Sequence, residues 1–385
     1  MKTLLTGNEA AAYAVKYAKP KVVAAYPITP QTTIVETIAN FYANKEWDFK
    51  FITVESEMSA IAAVFGAALT GVRTFTGTAS QGLLFMHEML TAISGYRLPI
   101  VMSVTNRALM PGWNVWADHQ DSIAQRDTGW MQIYAETNQE VFDSILQAYR
   151  IAEDHDVLLP IMVMEDAFLL SHTVEGVDLP EQKTVDEFLP EYDPIIKVDP
   201  SEPYNYGPLV TPDLYVAFRY KMAKAMENAK RVFQKVNEEF KEIFNRDHGV
   251  FFDTFHADDA DVLLIAAGTL ASTTRITIQR MREKGYNVGL ARLRVFRPFP
   301  TEEVRKLTKN VDVVAVLDRS FTFGAEGAMC SEIKAAMHGH SNAIVKNYIT
   351  GIGGKDVTPE DIIEIISDAY RVKKEGLDTE IMWIM

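Results

Sequence analysis

One cysteine, Cys330, occurs in the 385 residues, so the chain can close no internal disulfide. Nor can it hold a cubane iron–sulfur cluster, which takes about four thiolates. No apolar run approaches the roughly 18–20 residues of a membrane-spanning helix. The opening stretch MKTLLTGNEAAAYAVKYAK reads as a capped amphipathic helix, without the long apolar centre of a leader. Basic excess is lacking too. A formal net charge of −14 argues against nucleic acid or an anionic membrane as partner, since both need a cationic surface. His87, His119 and His172 lie far apart and show no metal-ligand spacing, and no metal is expected. GIGGK (351–355) is followed by Asp356 where a phosphate loop needs Ser or Thr, and reads as a glycine turn. FGAEGA (323–328) is no dinucleotide fingerprint. A cytoplasmic protein is the expectation.

What is present is ordinary globular material, 48% hydrophobic and 23% charged. In the first half, short apolar segments at 21–28, 48–55, 72–80, 98–108 and 157–168 alternate with helical segments at about 31–44, 56–71, 81–97 and 138–153. Strands too apolar to be wet on either face imply a parallel sheet covered by helices on both sides. Seven prolines between 180 and 212 then break the pattern and mark an extended connection over about 172–212. Thr211-Pro212-Asp213 is a good helix start: a hydroxyl cap, proline at the first position and an acid in the first turn. The long helix that follows covers about 212–245, and it and the apolar tail EIMWIM are candidate docking surfaces. A second alternation begins near 260, with YNVGLARLRVFRPF (286–299) as one of its strands. The expectation is an α/β protein of two open, mostly parallel-sheet domains, 1–246 and 247–385.

Ligands of such sheets sit beyond the carboxyl ends of the strands. Four loops there carry Thr29, Glu57, the stretch GTASQG (77–82) and Asn106-Arg107. Thr29 lies between Pro27 and Pro30 in YPITPQTT, which holds it in a stiff loop. Two readings of each residue stand side by side. The Thr29 hydroxyl could bond its own turn, or present itself to a ligand. Glu57 follows the cap Ser56 and gains roughly 0.3–1 kcal/mol from the helix dipole; it also opens the least polar helix of the chain. Arg107 serves either a structural ion pair or bidentate recognition of a carboxylate. Asp118-His119-Gln120-Asp121 reads as a capped surface turn before a metal site.

Taken in order, YPITPQT, VESEMSAIAAVFGAALTGVRTFTGTASQGL, NRAL and DHQDSIAQRDTGW resemble the alpha subunit of the 2-oxoacid:ferredoxin oxidoreductases, the pyruvate synthase family. LRVFRPFP and GIGGKDVTPEDI are similar to that family's second domain, which is like the transketolase C-terminal domain. The likeness covers nearly the whole chain. It implies a thiamine-enzyme pyrimidine-type domain followed by a transketolase C-terminal-like one. It also implies oxidative decarboxylation of a 2-oxo acid, with coenzyme A as acyl acceptor and ferredoxin taking the electrons. The Gly-Asp-Gly thiamine motif is missing here, so the resemblance places the diphosphate and Mg2+ in a beta subunit and the clusters in beta and a ferredoxin-like delta subunit, with beta, gamma and delta subunits as partners in one complex.

The resemblance also assigns roles. Glu57 matches the acid that contacts the thiamine aminopyrimidine, with Pro27, Ile28 and Thr29 as further cofactor contacts. Thr29 and Arg107 match the residues that hold the substrate carboxylate. Glu55 is displaced from the family pattern by this match. Pyruvate is the first-choice substrate. Trp113 and Trp116 leave a branched-chain or aryl 2-oxo acid open as the alternative, and so does packing of those rings on a partner. Two other readings stand: a structural subunit without catalytic role, and a transketolase-type enzyme without electron transfer.

Overall fold

The computed structural model describes residues 2–376 and 380–385. Its first large sheet has seven strands, in the order Val295–Arg297, Met131–Tyr134, Ile161–Asp166, Val101–Asn106, Thr74–Thr78, Val22–Ala25 and Lys50–Thr53. Six run parallel, and the edge strand Val295–Arg297 is antiparallel to Met131–Tyr134. The central strands 74–78, 101–106 and 161–166 are buried along their whole length, as both-face coverage demands. The second sheet has six strands, ordered Met382–Trp383, Ile344–Ile349, Val313–Asp318, Val262–Ala267, Val288–Leu293 and Phe252–Phe255, with only the last antiparallel. Lys2–Leu5 pairs antiparallel with Glu175–Asp178 in a small separate ribbon.

Several sequence expectations need correction. The segment 286–299 is two strands, not one. Val288–Leu293 belongs to the second sheet, and Val295–Arg297 crosses to the edge of the first, where its pairing shifts register between Val295 and Arg297. Strand Met131–Tyr134 was missed, because MQIY is too short to show a period. The helical segment 81–97 divides at Met86 into Ser80–Phe85 and His87–Gly95. The proline-rich connection includes the helix Gln182–Phe188 as well as the ribbon strand Glu175–Asp178.

A continuous apolar cluster joins the sheets, running from Ala60, Leu83 and Met102 to Leu263, Val316 and Cys330. Buried charge joins them too. Arg292 and Arg294 both donate to Glu140, at 2.7 and 2.8 Å, and Arg319 donates to Asp166 at 2.8 Å. The long helix Pro212–Phe244 starts at the expected proline, and its residues from Ala225 onward bury an apolar face. Residues 212–220 are exposed all round. Among the described residues, no helix is long and apolar enough to cross a membrane.

Candidate active site

Chain order runs outward from Val22–Ala25 in both directions: its successor Lys50–Thr53 lies on one side and Thr74–Thr78 on the other. The crevice at the carboxyl ends of such a pair is where an open sheet receives ligands. The loops after four adjacent strands, 50–53, 22–25, 74–78 and 101–106, meet there and bring Glu57, Thr29, Gln81 and Arg107 to one end of the sheet.

Glu57 is the first residue of the helix Glu57–Ala68, behind the extended cap Ser56, whose hydroxyl accepts from Ser59 N. Its carboxylate is buried at 9% exposure. It has neither a hydrogen bond nor an ion pair among the described residues. Instead it lies over Gly82: a Cβ there would come within 2.6 Å of Glu57 Oε1 and 2.5 Å of Thr78 Oγ1. The carboxylate thus has room only because residue 82 is glycine. Glu55, by contrast, is exposed and takes a bond from the Ser59 hydroxyl.

Arg107 continues the strand Val101–Asn106 and is buried at 6% exposure. Its Nη1 donates to Thr29 O at 2.7 Å, its Nε to Asn114 O at 3.2 Å and its Nη2 to Gln81 Oε1 at 3.3 Å. Among the described residues no carboxylate pairs directly with its side chain; neutral oxygens brace it, burial lowers its pKa and the nearby Asp121 carboxylate partly offsets that. Thr29 and Pro27 are exposed, and Ile28 is half-buried. The Thr29 hydroxyl takes no partner within the described residues. Behind it, Asn8 Nδ2 donates to Pro30 O at 2.7 Å, so the N-terminal helix anchors the turn.

The sequence reading of Asp118–Asp121 as a surface turn is wrong. Asp118, His119 and Asp121 are all buried. Asp121 is the knot that ties the loops together. Its Oδ2 accepts from Ser80 N at 2.9 Å and Arg107 N at 3.0 Å, and its Oδ1 from Asn106 Nδ2 at 2.6 Å and Ser122 N at 2.7 Å. Burial pushes its carboxyl up to about 6, against the pull of these donors. Ser80 is held with φ +49° beside it. His119 Nε2 lies 2.6 Å from Asp166, and no cluster of three metal-ligating side chains occurs among the described residues. No local signal in the sequence marks Asp121, because apart from its neighbour Ser122 its partners Arg107, Asn106 and Ser80 are 14, 15 and 41 residues away.

The glycine turn closes the far side. Gly354 N donates to Ala117 O at 2.7 Å, Gly353 N to Asp118 Oδ2 at 3.1 Å, and Asn114 Nδ2 to Gly353 O at 2.9 Å. Gly351, Gly353 and Gly354 have φ of 70°, 61° and 74°, and any Cβ on Gly354 would run into Trp116. Trp116 packs there and near Phe168, whereas Trp113 is 78% exposed at the tip of the loop after Arg107.

The donor set fits a thiamine-type pyrimidine: a carboxylate over a glycine, unpaired among the described residues, with the buried Gln31 Nε2, Thr78 Oγ1 and Gln81 Nε2 also lacking partners there. Buried polar groups ordinarily find partners, so such a cluster marks a place built for a ligand.

Residues 13–238 match the family described as pyruvate flavodoxin/ferredoxin oxidoreductase, thiamine diP-bdg, and residues 260–362 match pyruvate:ferredoxin oxidoreductase core domain II. The chain is 50% identical to the ketoisovalerate oxidoreductase subunit VorA of Pyrococcus abyssi, over 100% of this chain and 97% of that one. It is also 50% identical to the pyruvate synthase subunit PorA of Methanocaldococcus jannaschii, over 99% of this chain and 97% of the relative. Among solved structures, a 2-oxoglutarate:ferredoxin oxidoreductase from Magnetococcus marinus superposes with a TM-score of 0.74 at 16% identity, over 96% of this chain and 65% of that one. A split-gene transketolase superposes with a TM-score of 0.57 at 12% identity, over 96% of this chain and 99% of the other. These two likenesses are of fold.

Proposed function

The chain belongs to the family of 2-oxoacid:ferredoxin oxidoreductase alpha subunits, and from that premise we propose that it supplies one half of a composite active site acting on pyruvate or a branched-chain 2-oxo acid. The observation that carries this reading is Glu57, a buried carboxylate without a partner, set over Gly82 in the crevice that also holds Thr29 and Arg107. Beta, gamma and delta subunits of the same cytoplasmic complex would bring the diphosphate and Mg2+ site, the clusters and the contact with ferredoxin.

Thiamine diphosphate, when bound, supplies the electron sink on which a 2-oxo acid is decarboxylated. Glu57 would face the aminopyrimidine and hold a proton at its N1′, work for which a carboxylate with no partner among the described residues is well placed. Pro27, Ile28 and Thr29 would form the wall against the ring. Arg107 would receive the substrate carboxylate. Its three bonds to neutral oxygens fix the guanidinium without pairing it to a carboxylate, which leaves it available to an anionic substrate. The Thr29 hydroxyl, free of internal partners, would donate to the same carboxylate and orient it.

The purified native complex should reduce a viologen dye in a reaction that needs coenzyme A and either pyruvate or 2-oxoisovalerate. Phenylglyoxylate and 2-oxoglutarate complete the panel. The isolated chain should be inert with each. Turnover by the partner-free polypeptide, or no turnover by the complex with any 2-oxo acid, contradicts the proposal.

A further inference from the structure

Gln81 lies between the two halves of the site. Its amide Oε1 is 3.3 Å from Arg107 Nη2, and its chain neighbour is Gly82, which cradles Glu57. The orientation of that amide follows from hydrogen-bond chemistry. The Ser80 hydroxyl has one proton and two acceptors in reach at 2.6 Å, Gln81 Oε1 and Ala108 O, so it decides nothing. Arg107 has donors only, so the Gln81 atom facing it must be the carbonyl oxygen. The Nε2 group therefore turns away from Arg107 and Ser80. It is buried and has no acceptor. A buried amide donor left without a partner costs more than an ordinary hydrogen bond gains. It persists where a ligand completes it.

We propose that Gln81 is a substrate-binding residue, its Nε2–H donating to an oxygen of the 2-oxo acid whose carboxylate Arg107 receives. The inference rests on the oxidoreductase reading above. One side chain then does two things. Its oxygen helps to hold the guanidinium, and its nitrogen reads the substrate lying between that guanidinium and Glu57.

The two halves of the amide can be tested separately in the native complex. Q81E keeps an acceptor for Arg107 and Ser80, removes the donor and adds a negative charge beside the guanidinium. Q81M keeps the length and removes both. With the wild type's best 2-oxo acid, Q81E is expected to lose about a hundredfold or more in kcat/KM, nearly all of it in KM. Q81M is expected to lose about ten- to a hundredfold, again mainly in KM. A Q81E complex within about threefold of the wild-type KM overturns the assignment, because Gln81 would then only brace Arg107. A Q81M complex at the wild-type KM overturns it too, since Q81E would then act through its charge alone. A wild-type complex inert towards every 2-oxo acid overturns the functional reading and takes this one with it.

Discussion

The guanidinium of Arg107 donates to the backbone carbonyl of Thr29 at 2.7 Å, across 78 residues of chain. Arg107 and the proline-flanked turn therefore form one unit. Lysine cannot reproduce the fork, because its ammonium is a point charge on a flexible stem. Arg107→Lys in the complex should lower kcat/KM for the 2-oxo acid about a hundredfold, chiefly through KM, while thermal unfolding moves by only a few degrees. A variant with unchanged KM would show that Arg107 merely braces the turn.

The joint between the sheets should be acid-labile. Burial alone would raise the Glu140 carboxyl, but Arg292, with His248 and Arg294, brings it down to about 2. A depressed folded value means that its contribution is complete above the ordinary carboxyl range and is lost as pH falls from about 4.5 towards 2. Glu140→Gln leaves the buried Arg294 without an ion-pair partner among the described residues, while Arg292 keeps Glu136 at 3.1 Å, and should cost about 3–5 kcal/mol at neutral pH. Denaturant titration of wild type and variant at pH 7 and pH 3 should show the gap narrowing at the lower pH.

Glu165 behaves in the opposite way. It is wholly buried, takes one bond from the Thr105 hydroxyl at 3.1 Å, and burial pushes its carboxyl up to about 8. A raised folded value means that its contribution is complete below about 4.5 and is lost as pH rises through about 8. Glu165→Gln should thus gain on the wild type steadily between pH 4.5 and pH 8. A constant difference across that window, read from denaturation midpoints, would show that Glu165 does not titrate there.

Gly354→Ala places a Cβ against Trp116 at a φ of +74°, which is strained for any side chain. A loss of more than about 1 kcal/mol is expected from the backbone alone. Because Ala117 O and Asn114 hold the same turn, KM for the 2-oxo acid should rise along with the loss of stability. A less stable protein with wild-type KM would separate the glycine turn from the Arg107 loop.

The alternation of apolar strands with helices was legible, since period and burial are local properties. The short strand Met131–Tyr134 and the crossing of Val295–Arg297 to the first sheet were not, because both depend on pairing between distant segments. The same limit applies to the site. Thr29, Glu57 and Arg107 each had an equal or better structural reading taken singly, and only the strand order puts their loops side by side. Family resemblance, not spacing, gave them roles. Asp121 escaped because Ser80, Asn106 and Arg107, from two distant loops, converge on it only after folding.

The most direct measurement is Glu57→Gln in the native complex, assayed for coenzyme A-dependent dye reduction with pyruvate and 2-oxoisovalerate. As a helix-capping acid alone, Glu57 would be worth roughly 0.3–1 kcal/mol of stability and nothing in rate. As the acid that holds the N1′ proton, its removal should lower kcat about a hundred- to ten-thousandfold while the complex stays assembled. A Glu57→Gln complex that turns over as fast as the wild type would contradict the assignment of this chain to the catalytic site.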